Sequence, residues 1–180
     1  MTGLPYYGGL SRLGATIGGE TINLTDDDIY LALMGSEYVQ DVRLKADGGH
    51  EHWSDIVAYE IEETGDYVSG GQQLIITEVE VYIEAALFDP FAYLVYTANA
   101  GSTPIAYSVP WTGQTFTDLA GAVVYKKGVE VDGSDWPLFT FIVPPADKRN
   151  AASDKYFVEF GTPGETLGFF CELAGISLPE

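Results

Sequence analysis

Four groups of residues in this 180-residue chain have types and spacings that could carry chemistry. His50 and His52 stand two positions apart in GGHEHWSD, residues 48–55. On a β-strand that spacing puts both rings on one face, a usable geometry for a metal ion, with Asp47, Glu51 and Asp55 nearby to complete a site. Asp26, Asp27 and Asp28 form a run of carboxylates, the oxygen ligands that a hard cation such as calcium takes. Glu78, Glu80 and Glu84 alternate along an apparent strand and raise the paired-carboxylate chemistry of glycoside hydrolysis. Cys171 is the single thiol.

Each pattern falls short of the chemistry it suggests. The cupins, jelly-roll enzymes with a His-x-His pair, add a Glu three or four residues later and a His in a second motif. Here Asp55 and Ile56 stand near those positions, the next Glu is Glu60, and no later His exists. His50 and His52 are therefore expected in a solvated polar loop. Asp26–Asp28 lacks the alternating ligands, glycine and terminal Glu of an EF-hand loop and reads as a charged turn. Glu78, Glu80 and Glu84 share one strand face rather than flanking a cleft, so a solvated sheet face is expected. Cys171 lies between Phe170 and Glu172, next to Phe169, and reads as a buried thiol. No G-x-S-x-G elbow, phosphate-binding loop or dinucleotide fingerprint occurs. The expectation is a protein that is not an enzyme and holds no cofactor and no metal.

The elements that would position these residues are short strands. Ile29–Met34 is a buried apolar run, Val57–Glu63 alternates in part, and Gln73–Glu84 alternates clearly. Phe91–Tyr96, Ile105–Val109, Ala122–Lys126, Leu138–Val143, Tyr156–Phe160 and Leu167–Leu173 follow. Gly70-Gly71, Asp89-Pro90, Asp132-Gly133 and Pro144-Pro145 punctuate them, and no amphipathic helix of ten or more residues follows residue 35. Many short strands with Gly/Pro turns predict an all-β fold, an antiparallel, jelly-roll-like β-sandwich forming one domain over residues 21–180.

Eight basic residues against 27 acidic ones give a formal charge of −19. A nucleic-acid partner or an anionic membrane surface demands a basic face, which this composition does not supply. With one Cys, no intrachain disulfide forms. The Gly-rich start lacks the pattern of a signal peptide, and no stretch approaches the roughly 20 apolar residues of a membrane span, so a soluble protein made inside a cell is expected. Residues 1–20 read as an N-terminal arm, in which Leu4, Tyr6, Tyr7, Leu10 and Leu13 are adhesive side chains among six glycines. These five residues are the candidate subunit-interface positions.

Five segments, taken in order, carry a resemblance. They are INLTDDDIYLALMGSEY (22–38), HEHWSDIVAYEIEETGDYVSGGQQL (50–74), VPWTGQTFTDLAGAVVYKKG (109–128), and WPLFTFI with DKYFVEFGTPGETLGFFCEL (136–142 and 154–173). Together they resemble the small β-rich virion structural proteins of tailed bacteriophages, whose pattern is matched at Trp53, Ser54, Asp55, Tyr59, Glu60, Gly65, Tyr67, Gly70, Gly71 and Leu74. Trp111, Ala122–Tyr125, Pro137 and Leu138 match its later part. The arm and residues 84–108 depart from it. The resemblance implies a capsid decoration (cement) or head-fibre protein, with a minor tail or neck protein as the alternative. It further implies other virion proteins, above all the major capsid protein, and copies of itself as partners, a virion location after synthesis in the host cytoplasm, and, by analogy, a homo-oligomer such as a trimer. A carbohydrate-binding module using Tyr93, Tyr96 and Tyr107, and a metal enzyme using His50 and His52, are the readings from other classes.

Overall fold

The computed structural model describes residues 2–6, 22–23, 28–76, 80–85, 92–97, 106–107, 111–144, 146, 149–156, 159–160 and 171–173. Thirteen strands are present among them: β1 (Thr2–Pro5), β2 (Ile29–Met34), β3 (Gln72–Gln73), β4 (Ile75–Ile76), β5 (Glu80–Ala85), β6 (Ala92–Thr97) and β7 (Ala106–Tyr107), then β8 (Trp111–Phe116), β9 (Gly121–Lys126), β10 (Leu138–Val143), β11 (Ala151–Tyr156), β12 (Glu159–Phe160) and β13 (Cys171–Leu173). Helical structure among the described residues is 3₁₀ only: three three-residue turns at Lys45–Asp47, Trp53–Asp55 and Val57–Tyr59, and Ala146. No helix among the described residues is long and apolar enough to cross a membrane. The described chain is β-rich, and its strand pairings are antiparallel.

The central sheet runs in the order β1-β10-β9-β2-β3. Its three long strands are the apolar runs IYLALM, GAVVYK and LFTFIV, and each is buried along nearly its whole length. An antiparallel sheet usually leaves one face to water; this one buries both. Ile29, Leu31, Leu33, Ala122, Val124, Phe139 and Ile142 enter one core, with Trp111 and Phe116 of β8 and, partly buried, Ala151 and Tyr156 of β11 packed on it. The alternate residues Ala32, Met34, Val123, Tyr125, Leu138 and Phe141 enter a second core, closed by Tyr6, Tyr38, Trp53 and Ile56. In β2 and β9 the one-residue alternation of a strand thus feeds two cores from the same backbone, and in β10 an irregularity between Leu138 and Thr140 shifts that alternation. The smaller ladders are β11-β8, β12-β7-β4 and β13-β6-β5.

Two expectations are corrected here. Val57–Glu63 is not a strand: the chain makes consecutive 3₁₀ turns over Trp53–Asp55 and Val57–Tyr59 and then a single bridge between Glu60 and Met34. The Asp55 carboxylate caps the first turn by accepting the backbone N–H groups of Glu51 at 3.1 Å and His52 at 2.9 Å, and the second is closed by Tyr59 N–H to Ile56 O at 2.9 Å and Glu60 N–H to Val57 O at 3.2 Å. Gln73–Glu84 is not one strand either. Leu74 turns into the core and donates its N–H to Ile29 O at 2.8 Å, separating β3 from β4; residues 77–79 lie outside the described residues. Strands β8 and β11 had no counterpart in the expected series.

Candidate functional site

The segment from Glu60 to Gly71 is organised around one half-buried carboxylate. The Tyr67 hydroxyl donates to Glu60 Oε1 at 2.6 Å, and the Gly70 N–H donates to the same oxygen at 2.7 Å. Tyr67 in turn accepts the Leu33 N–H at 2.9 Å, and the Tyr125 hydroxyl donates to Gly70 O at 2.5 Å. One box therefore joins the loop to β2 and β9. Burial raises the Glu60 carboxyl above its ordinary range, outweighing the hydrogen bonds from Tyr67 and Gly70 that favour the charged form. Burial likewise raises the Tyr67 and Tyr125 hydroxyls, with the Glu60 charge adding to it, so both stay protonated donors. Gly71 has φ +64°, and a Cβ there would lie 1.9 Å from Leu31 O, so only glycine lets the loop lie against β2.

His50 and His52 do not share a strand face. Nδ1 of His50 accepts the Asp41 N–H at 3.3 Å, and its ring stacks on Tyr38 with centroids 5.7 Å apart. The His52 side chain accepts the Asp55 N–H within the capping box of the Trp53–Asp55 turn, and its backbone bridges Pro137. Both lie in a loop, as expected, where these contacts leave them half-buried rather than fully solvated. Asp47, Glu51 and Asp55 do not close a site around them: among the described residues no three His, Cys, Asp or Glu side chains are gathered to hold a metal. Burial pushes the Asp55 carboxyl up, yet the Lys45 ammonium 2.7 Å away and the capping N–H groups outweigh it and hold it low. Hydrogen bonds from Arg43 bring Asp41 down to about 2.

Among the described residues, the two most exposed large hydrophobic side chains lie on the hairpin between β9 and β10. Val129 and Val131 are 89% and 96% exposed at its tip. The tip is pre-ordered: Asp135 accepts the N–H groups of Val129 at 2.9 Å and Glu130 at 3.1 Å, and Asp132 accepts that of Ser134 at 3.0 Å. It is also pinned to the capped segment, because Trp53 N–H donates to Trp136 O at 2.9 Å and Ser54 N–H to Gly133 O at 3.2 Å. Gly133, at φ +74°, leaves the space that the Trp53 ring fills; a Cβ there would meet Trp53 Cδ1 at 2.6 Å. Beneath it, Trp53, Tyr125 and Trp136 form a stack with centroid separations of 4.7 and 5.7 Å. Lys127 Nζ lies 4.6 Å from the Tyr30 ring centroid and 5.5 Å from that of Trp136, a cation–π contact that closes the stack.

Of the five interface candidates, Tyr6 lies fully buried in the chain's own second core, and Leu4 lies on β1, an edge strand of the central sheet. Residues 2–6 are thus held on the domain's own sheet. Tyr7, Leu10 and Leu13 lie outside the described residues, as do Asp26, Asp27 and Glu78. Glu80 and Glu84 sit on β5, opposite Thr97 and Tyr93 of β6. Tyr93 and Tyr96 are on β6 and Tyr107 on β7, while Cys171 opens β13. The sequence reading did not single out Val129 and Val131. The available signal was a pair of β-branched residues between the turn formers Gly128 and Asp132-Gly133, too short a run to enter a core.

No family model matches this chain, and no curated protein and no solved structure matches it.

Proposed function

We propose that this chain is a non-enzymatic structural protein of a tailed-phage virion, a capsid decoration (cement) or head-fibre protein that joins neighbouring subunits. Its architecture on this reading is a jelly-roll-like sandwich in which the β8–β11 ladder covers one face of the central sheet. The observation that carries the reading is the use to which the motif residues are put. Trp53, Asp55, Glu60, Tyr67, Gly70 and Gly71, the positions on which the resemblance rests, brace loops onto the sheet. Their polar atoms bond to the scaffold instead of converging on a space where a substrate would sit. Trp53 also fastens the β9–β10 hairpin, whose tip carries two exposed valines, and this suits a geometric role: holding contact surfaces in place between subunits.

The partners on this reading are the major capsid protein and further copies of the chain, in a homo-oligomer such as a trimer, on a particle assembled in the host cytoplasm. The experiment is addition of purified chain to particles assembled without it, followed by sedimentation. Saturable co-sedimentation at a fixed number of copies per particle is expected. Chain that stays in the supernatant at every concentration contradicts the proposal, and binding to a glycan array in the same preparation points to the carbohydrate-binding reading instead.

A further inference from the structure

The N-terminal strand is held by contacts that a second copy of the chain can supply equally well. β1 is an edge strand, paired to β10 through Thr2↔Val143, Gly3↔Ile142, Leu4↔Phe141 and Pro5↔Thr140. Immediately after it, Tyr6 donates its N–H to Phe139 O at 3.0 Å. Its ring is fully buried in the second core, and its hydroxyl meets that of Tyr38. Five residues therefore provide a strand and a plug.

These partners are remote in sequence: Phe139 and Val143 lie more than a hundred positions away and Tyr38 lies 32 away. The next described residue, Ile22, is buried in the first core, on the other face of the same sheet. Residues 7–21 connect the two and include Gly8, Gly9, Gly14, Gly18 and Gly19. Fifteen residues fully extended reach about 50 Å, comparable to the roughly 40 Å diameter of a domain of this size. The tie is thus long enough for β1 to lie on its own β10 or on that of an adjacent copy.

We propose that residues 2–6 form an exchangeable strand: in the assembled state β1 pairs with β10 of a neighbouring copy, and Tyr6 fills that copy's pocket beside Tyr38. This rests on the assembly role proposed above and gives it a mechanism. Strand pairing and burial are the same in both arrangements, so local concentration and the repulsion between copies carrying −19 each set the balance. Exchange turns a contact made within the chain into one made between chains, with no new interface chemistry.

The test uses full-length chain with Cys171→Ser, so that no native thiol competes. Thr2→Cys and Val143→Cys are introduced in separate, differently tagged chains, which are mixed at rising concentration and oxidised. A Thr2–Val143 cross-link between the two tags forms only when β1 has changed partners, because these positions lie opposite each other in the ladder. The expected result is a hetero-tagged dimer that increases with concentration and is lost when Tyr6→Ala is added to the Thr2→Cys chain. The double variant Thr2→Cys/Val143→Cys in one chain reports whether β1 docks at all. Quantitative intrachain cross-linking there, with no hetero-tagged dimer in the mixture, overturns the proposal. Exchange without binding to particles would reject the virion role alone, and binding to particles without exchange would reject the strand mechanism alone.

Discussion

Glu60 shows how one side chain converts a sequence motif into a scaffold. It accepts from Tyr67 and from Gly70, and through them the loop is fastened to β2 and β9. Its folded-state pKa lies above the ordinary value because burial penalises the charge. A carboxyl raised in this way contributes stability below its unfolded pKa, and that contribution is lost as pH rises through the folded value. Glu60→Gln keeps an oxygen to accept both hydrogen bonds and removes the titration. The variant is therefore expected to gain stability relative to the parent as pH rises from about 4 to about 7, measured by urea unfolding at each pH. A difference between the two proteins that stays flat or falls with pH contradicts this account of Glu60. Tyr67→Phe removes the donor to a buried carboxylate and the acceptor of the Leu33 N–H together, and is expected to cost about 1–3 kcal/mol. In the sequence Glu60 was visible only as a position in a resembling pattern; its role depends on Tyr67, seven residues on, which periodicity does not connect to it.

At the scale of the element, the two-sided burial of β2, β9 and β10 governs stability. Val123 and Val124 are adjacent on β9, and each points into a different core. Val123→Ala and Val124→Ala are each expected to destabilise the fold by about 2 kcal/mol, from the lost methyl groups and the cavity they leave. Near-neutrality of either in chemical unfolding would show that its face is open. These three strands were legible because short runs dominated by apolar, β-branched and aromatic residues have few other fates. β8 was not, because WTGQTF mixes buried Trp111, Gln114 and Phe116 with exposed Thr112, Gly113 and Thr115, and Gly113 takes φ +74° inside the strand. Val57–Glu63 misled for the opposite reason: its periodicity is real, but its backbone closes a local turn through Tyr59 N–H to Ile56 O and Glu60 N–H to Val57 O. The hairpin tip was marked only by turn residues. Its exposed valines follow from the Asp132 and Asp135 hydrogen bonds, which no pattern of hydrophobicity encodes.

For the whole molecule, net charge works against the proposed assembly. Copies carrying −19 repel, and the proposed contact through the exposed Val129 and Val131 would gain nothing from that field. Salt shortens the Debye length from about 10 Å at 0.1 M to about 3 Å at 1 M and so weakens the repulsion. Attachment to particles and self-association are therefore expected to persist or strengthen as monovalent salt rises, read as the bound fraction across a salt series. Steady release with salt would instead identify a basic docking surface on the partner. Imaging of particles at subunit resolution tests most directly whether this fold serves as a building part of a particle. Density for this chain is expected on the particle, with the β9–β10 hairpin tip against a neighbouring subunit. Particles from the same preparation that carry no such density, while the chain is recovered free in the lysate, would contradict this role.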